Sequence, residues 1–126
     1  MSANGYDPSM PETIDSLATL ALSLPETAEK GSCVNRAFFA GKKNFLFLGE
    51  KDSSYNIRLK LGASIDEARE LAAADPEKFN VGMGGWTKVV FPNDEAPPKG
   101  LLERWTKESF RLLVPKRVSK QLDQDA

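Results

Sequence analysis

Apolar positions along this chain switch between two rhythms, and the switches divide it into elements. Ile14, Leu17, Ala18, Ala21 and Leu22 recur at helical spacing after Ser9-Met10-Pro11-Glu12, which fits a capping box with an early proline, and Pro25 ends that helix. Glu26 to Ser32 reads as a polar connection. Val34 to Ala40 and Lys43 to Gly49 read as strands joined by Gly41-Lys42, a two-residue loop with glycine first, as a type II′ hairpin prefers. Phe45-Leu46-Phe47-Leu48 is apolar at successive positions, which predicts a strand covered at least in part on both sides. Tyr55 to Leu61 alternates most strictly: Tyr55, Ile57, Leu59 and Leu61 face one way, Asn56, Arg58 and Lys60 the other. One face of that strand is therefore wet and basic.

The helical rhythm returns at Ser64-Ile65-Asp66-Glu67, a second capping box, continues through Ala68, Leu71 and Ala72, and stops at Asp75-Pro76. Phe79 to Val81 is a short strand, Gly82-Met83-Gly84-Gly85 a flexible turn, and Trp86 to Phe91 the returning strand. A last helix runs from about Lys99 to Val114, with Leu101, Leu102, Trp105, Phe110, Leu112 and Leu113 on its apolar side and Pro115 at its end. The order α-β-β-β-α-β-β-α, with short turns between strands, predicts an α+β domain. Its antiparallel sheet would have about five strands in two hairpin-containing units, with helices packed on one side. Residues 1–10 are expected as a flexible tail, 11–118 as one domain and 119–126 as a second tail.

Composition narrows the chemistry. The chain has 126 residues, 40% hydrophobic and 28% charged, enough for one core without disulfide or metal. It contains no histidine and one cysteine, Cys33. That removes His-based nucleophilic pairs, His-ligated zinc, Cys-rich metal sites and the commonest general base near neutral pH. Gly41-Lys42 lacks the preceding glycine and following hydroxyl of a phosphate-binding loop, and Gly82 to Gly85 opens no helix as a dinucleotide fingerprint would. Asp66, Glu67 and Glu70 favour a helix dipole and otherwise read as a solvated face. No catalytic residue, metal or cofactor is expected. The N-terminus has neither the basic nor the apolar region of a signal peptide, and no apolar run reaches the roughly 20 residues of a membrane span. The expectation is a cytoplasmic protein with no membrane partner.

The net charge of −1 conceals a pattern. Residues 1–29 carry five acids and no base, 30–61 seven bases against two acids, 62–98 three bases against seven acids, and 99–120 seven bases against two acids. Two basic blocks thus alternate with acidic ones, and the fold decides whether they share a face.

Ser23-Leu24-Pro25, Ala37-Phe38 with Gly41-Lys42-Lys43 and Phe45, and Leu59-Lys60-Leu61 make one set of matches to a known family. Ala74-Asp75-Pro76 with Phe79, Gly85-Trp86 with Val89, and Trp105, Ser109, Leu112 and Leu113 before Pro115-Lys116 complete it. In this order and spacing, from about Leu17 to Arg117, the chain resembles the MmcQ/YjbR family of small α+β proteins, which are similar in outline to the frataxin-like architecture. The resemblance implies a binding module before an enzyme, with hairpins in a double-wing arrangement associated with DNA binding. Many members carry His or another polar group just ahead of the matching Trp, where this chain has Gly82 to Gly85.

Candidate contacts with nucleic acid follow. Lys42 and Lys43, with Arg36 nearby, could meet phosphates from the hairpin tip; the alternative is a solubilising turn. Arg58 and Lys60 lie about 7 Å apart on one strand face, near the spacing of successive phosphates; the alternative is an ordinary solvated sheet face. Lys88 could join them from the second hairpin. Trp86 is expected in the core or at its rim, with base stacking as the alternative. The expected partner is DNA with weak sequence preference. The other readings are a protein-interaction or regulatory domain and a small-molecule binder, and the oligomeric state is left open.

Overall fold

The computed structural model describes residues 9–32, 35–51 and 53–125; Cys33, the Val34 start of the expected strand, and the side chains of the Ser9–Glu12 capping box lie outside this description. Ten α-helices and strands follow in the order α1 (Ser9–Ser23), β1 (Thr27–Ser32), β2 (Asn35–Ala40), β3 (Lys43–Lys51), β4 (Ser54–Lys60), α2 (Ile65–Ala74), β5 (Phe79–Val81), β6 (Trp86–Pro92), α3 (Leu101–Leu113) and α4 (Lys116–Asp125). A single 3-10 turn, Met83–Gly85, links β5 to β6. The fold is α+β: an antiparallel sheet in the order β1-β2-β3-β4-β6-β5, with the helices on one side. No helix among the described residues is long and apolar enough to cross a membrane.

The sheet has six strands where about five are expected, and there is a fourth helix. The polar connection Thr27–Ser32 is the edge strand β1, paired with β2 from Thr27 opposite Ala40 to Ser32 opposite Asn35. It has no large apolar side chain, so its backbone pairing rather than a buried face keeps it in the sheet. The expected C-terminal tail is α4. It anchors through buried Val118 and through Arg117 and Gln121, which donate to the Glu26 carboxylate.

Tyr55, Ile57 and Leu59 point from β4 into the core, as their alternation predicts. They meet Leu46 and Leu48 of β3 and Thr87, Val89 and Phe91 of β6 on the same side. α3 lays Leu102, Trp105 and Phe110 over this layer, and Phe79 stands edge-on to both Phe91 and Trp105.

Phe45 and Leu46 are adjacent yet both fully buried on the helix side. A bulge opposite Phe38/Phe39 explains this, because one extra β3 residue turns inward. The expectation of two covered faces is corrected accordingly: a bulge, and not a second layer, buries the extra apolar residue, and Phe47 stands on the other face. The β3–β4 pairing ends at Leu46 opposite Leu59, and just past it the Phe45 carbonyl and the Lys60 N–H turn to α3. Ser109 of α3 satisfies both. Its Oγ donates to the Phe45 carbonyl at 2.6 Å and accepts from the Lys60 N–H at 3.0 Å.

The capping box expected at Ser64–Glu67 does not form. Ser64 makes no side-chain cap bond. Instead Glu108 reaches across from α3: its carboxylate accepts from the Gly62 and Ser64 N–H groups at 2.7 and 3.0 Å and from the Ser64 hydroxyl at 2.6 Å. Glu67 is taken by Arg104 and by the Trp105 indole N–H, at 2.9 and 3.1 Å. A tertiary carboxylate thus replaces the local one at the start of α2.

Candidate nucleic-acid interface

Strand parity sorts the sheet residues onto two faces, and the face away from the helices is open. Residues paired directly across strands share a face, so Ala37, Phe47, Arg58, Lys88 and Asn80 form one row across the open side. Lys60 lies opposite Trp86 in the next row. Asn56 lies opposite Gly49 on the other flank. Lys30 and Lys51 belong to the same face, opposite Ala37 and Ser54. Among the described strand residues this face therefore carries the cations Lys30, Lys51, Arg58, Lys60 and Lys88 and no carboxylate.

Trp86 is half-buried on this face, opposite Lys60 and outside the helix-side core. Its ring sits 6.0 Å from that of Phe47 at an interplanar angle of 55°. Gly85 fixes the position. It has a φ of +86°, and a Cβ there would run into the Leu61 carbonyl. The Leu61 N–H donates to the Gly85 carbonyl at 2.9 Å, so the entry to β6 is clamped against the end of β4. The Arg58 guanidinium lies over the Phe47 ring, 4.9 Å from its centroid. Phe47, Trp86, Arg58, Lys88 and Asn80 line a groove of about 270 Å³.

Arg58 and Lys88 are directly opposed, and among the described residues no carboxylate forms an ion pair with either. Like charges facing each other across strands disfavour the pairing by up to about 1 kcal/mol. An anion between them would turn that repulsion into attraction.

The other sequence candidates lie elsewhere. Gly41-Lys42 is the two-residue turn expected, closed by Ala40 opposite Lys43 with Gly41 at φ +63°. Both lysines are exposed at the hairpin tip, at the far end of β3 from Gly49. Arg36 pairs in register with Leu48, a helix-side position. It is held by Glu29 in a two-point ion pair and stacks over Phe38. Hydrogen bonding from Arg36 holds the Glu29 carboxyl below its ordinary value. The second basic block lies mostly on α3 and α4, across the sheet from the open-face cations of the first. Arg104 there is paired with Glu67 and Arg117 with Glu26. The two basic blocks therefore do not share a face.

Sequence reasoning missed Phe47, Asn56 and Asn80. Phe47 is hidden by the apolar run around it. Alternation puts Asn56 on the face of Arg58, but neither asparagine carries a charge to mark it, and only the strand register brings Asn80 beside Lys88.

The YjbR family model matches residues 22–112, which include β2 to β6 and nearly all of α3. The chain belongs to the YjbR family. No curated protein matches it. Among solved structures it is similar to the crystal structure of Deinococcus radiodurans protein DR2400, described with a DUF419 domain. The two are 21% identical, the match covers 88% of each chain, and the TM-score is 0.65. At that identity the likeness is one of fold. The YjbR match takes in every residue of the aromatic groove, whereas α4 lies beyond it.

Proposed function

We propose that this YjbR-family chain is a non-enzymatic binding module whose open sheet face takes nucleic acid, single strands in preference to duplex. One observation carries the reading: the opposed Arg58–Lys88 pair stands beside the Phe47 and Trp86 rings on a face with no carboxylate among its described strand residues. Cations that track phosphates together with aromatic rings that stack bases are what a single strand offers both halves of itself to. A duplex hides its bases and would use the cations alone. Most of the contacts would be to phosphate, so sequence preference should be weak. Lys30, Lys51 and Lys60 extend the positive track, while Lys42, Lys43 and Arg36 lie outside it.

The test is fluorescence anisotropy of labelled single-stranded and duplex oligonucleotides at low salt, with Arg58→Glu/Lys88→Glu beside the unmodified chain. Binding of the single strand that the double variant abolishes supports the reading. Absence of binding at low salt overturns it.

A protein partner is the second reading, and Met83 favours it. This residue is 92% exposed at the tip of the second hairpin. In that case Met83→Ser would remove binding and the affinity would change little with salt.

A further inference from the structure

A second depression adjoins the aromatic groove. It holds about 70 Å³ and shares Phe47 and Arg58 with the first, continuing to Gly49 and Asn56. Gly49 creates it. The Asn56 amide lies against the bare Cα of Gly49, where a Cβ would come within 2.8 Å of Nδ2 and 3.0 Å of Oδ1. The two depressions differ in chemistry. Phe47 and Arg58 are common to both; the larger adds the Trp86 ring, Lys88 and Asn80, whereas the smaller adds Asn35, Arg36, Gly49 and Asn56 and no further aromatic ring. The smaller one has the volume of a tetrahedral oxyanion and not of a base.

We propose that the two depressions are one nucleotide site, with the base in the Trp86 groove and its phosphate in the Arg58–Asn56 notch. This rests on, and sharpens, the single-strand reading given above. Arg58 lies at the shared wall. Its guanidinium plane over Phe47 leaves N–H donors for the phosphate on the notch side, while Lys88, opposite it on β6, lines the base groove. The Asn56 amide adds a neutral donor. Asn80, an outward residue opposite Lys88, is placed to hydrogen-bond the edge of the base. The nucleotide backbone would thus cross the strands, from β6 toward β3.

The experiment is a two-dimensional 15N–1H NMR titration of the full chain with thymidine, thymidine monophosphate, inorganic phosphate and an oligothymidylate. Thymidine should move the Trp86 indole and Lys88 signals. Inorganic phosphate should move Gly49, Asn56 and Arg58. The monophosphate should move both sets and bind about tenfold more tightly than thymidine, the effect of one added charge-assisted contact. Asn56→Asp should erase that advantage and leave the thymidine shifts unchanged; Gly49→Ala, which displaces the amide, should act the same way. If the monophosphate moves only the Trp86 set, or keeps its advantage in Asn56→Asp, the notch is not a phosphate site and the proposal is overturned. If the oligothymidylate binds but no mononucleotide does, the single-unit site fails and the single-strand reading stands. If the monophosphate binds as expected and the oligothymidylate does not, the nucleotide site stands and its ligand is a free nucleotide, which refutes the strand reading alone.

Discussion

Ser109→Ala should destabilise the fold sharply, while Thr106→Val, three residues earlier on α3, should not. Both hydroxyls are fully buried, but their surroundings differ. Ser109 Oγ bridges the Phe45 carbonyl and the Lys60 N–H, two main-chain groups just past the last β3–β4 pair. Removing it leaves a buried acceptor and a part-buried donor without partners. A buried unpaired group costs about 1–3 kcal/mol and a part-buried one less, so the loss should be about 2–4 kcal/mol. For a chain of this length that lowers the melting temperature by roughly 10 °C. Thr106 Oγ1, by contrast, is buried with no hydrogen-bond partner among the described residues. Replacing it with a methyl removes an uncompensated desolvation, so Thr106→Val should be neutral or stabilise by about 1 kcal/mol. Urea unfolding followed by circular dichroism measures both, with the midpoint shifting and the slope unchanged. A Ser109→Ala loss below about 0.5 kcal/mol would refute the argument, because the two backbone groups would then have other partners.

Acid should loosen the start of α2. Burial pushes the Glu108 carboxyl up, but hydrogen bonds from the Ser64 side chain and from the Ser64 and Gly62 N–H groups outweigh it and leave the group below its ordinary value of 4.5. A depressed carboxyl contributes stability that is present above 4.5 and lost as the pH falls through the lower folded value. Melting temperature should therefore fall on acidification below 4.5, and Glu108→Gln should be less stable at neutral pH with a flatter acid limb. An equally steep limb in the variant would count against this role. Val118→Asp should detach α4 at a cost of about 2–4 kcal/mol, read by chemical denaturation, because it places a charge where Val118 is buried. Gly85→Ala should weaken oligonucleotide binding as well as stability, since the Cβ would push apart the Leu61–Gly85 clamp that positions Trp86. Unchanged binding with normal folding would show that the clamp does not set the groove.

The elements with strong apolar periodicity were legible in the sequence. Tyr55 to Leu61 and the Trp105 face of α3 announce a core, and the two-residue Gly41-Lys42 loop announces its hairpin. What stayed hidden depends on contacts distant along the chain. β1 contributes no large side chain to the core, so nothing in Thr27–Ser32 distinguishes it from a loop until β2 pairs with it. α4 has one described apolar anchor, Val118, in a polar sequence. The local capping box at Ser64 was outcompeted by Glu108, 44 residues away. At the site, the basic strand face at Arg58 and Lys60 was readable from alternation. Lys88 opposite Arg58 requires register. The place of Trp86 follows from parity, since it pairs with outward Lys60. Arg36 shows the limit of charge counting. It belongs to the same basic block but faces the helices, bound to Glu29.

The central claim is that the open sheet face, and neither the hairpin tip nor the helical side, carries a nucleic-acid strand. The salt dependence of single-strand affinity tests it most directly, compared among the unmodified chain, Arg58→Glu/Lys88→Glu and Lys42→Glu/Lys43→Glu. Three to four phosphate contacts at roughly −0.7 each predict a slope of log K against log salt of about −2 to −3. The sheet-face variant should flatten that slope by at least about 1.4, the share of two contacts, while the hairpin-tip variant leaves it within error. A slope that flattens in the hairpin-tip variant and persists in the sheet-face variant would contradict the account.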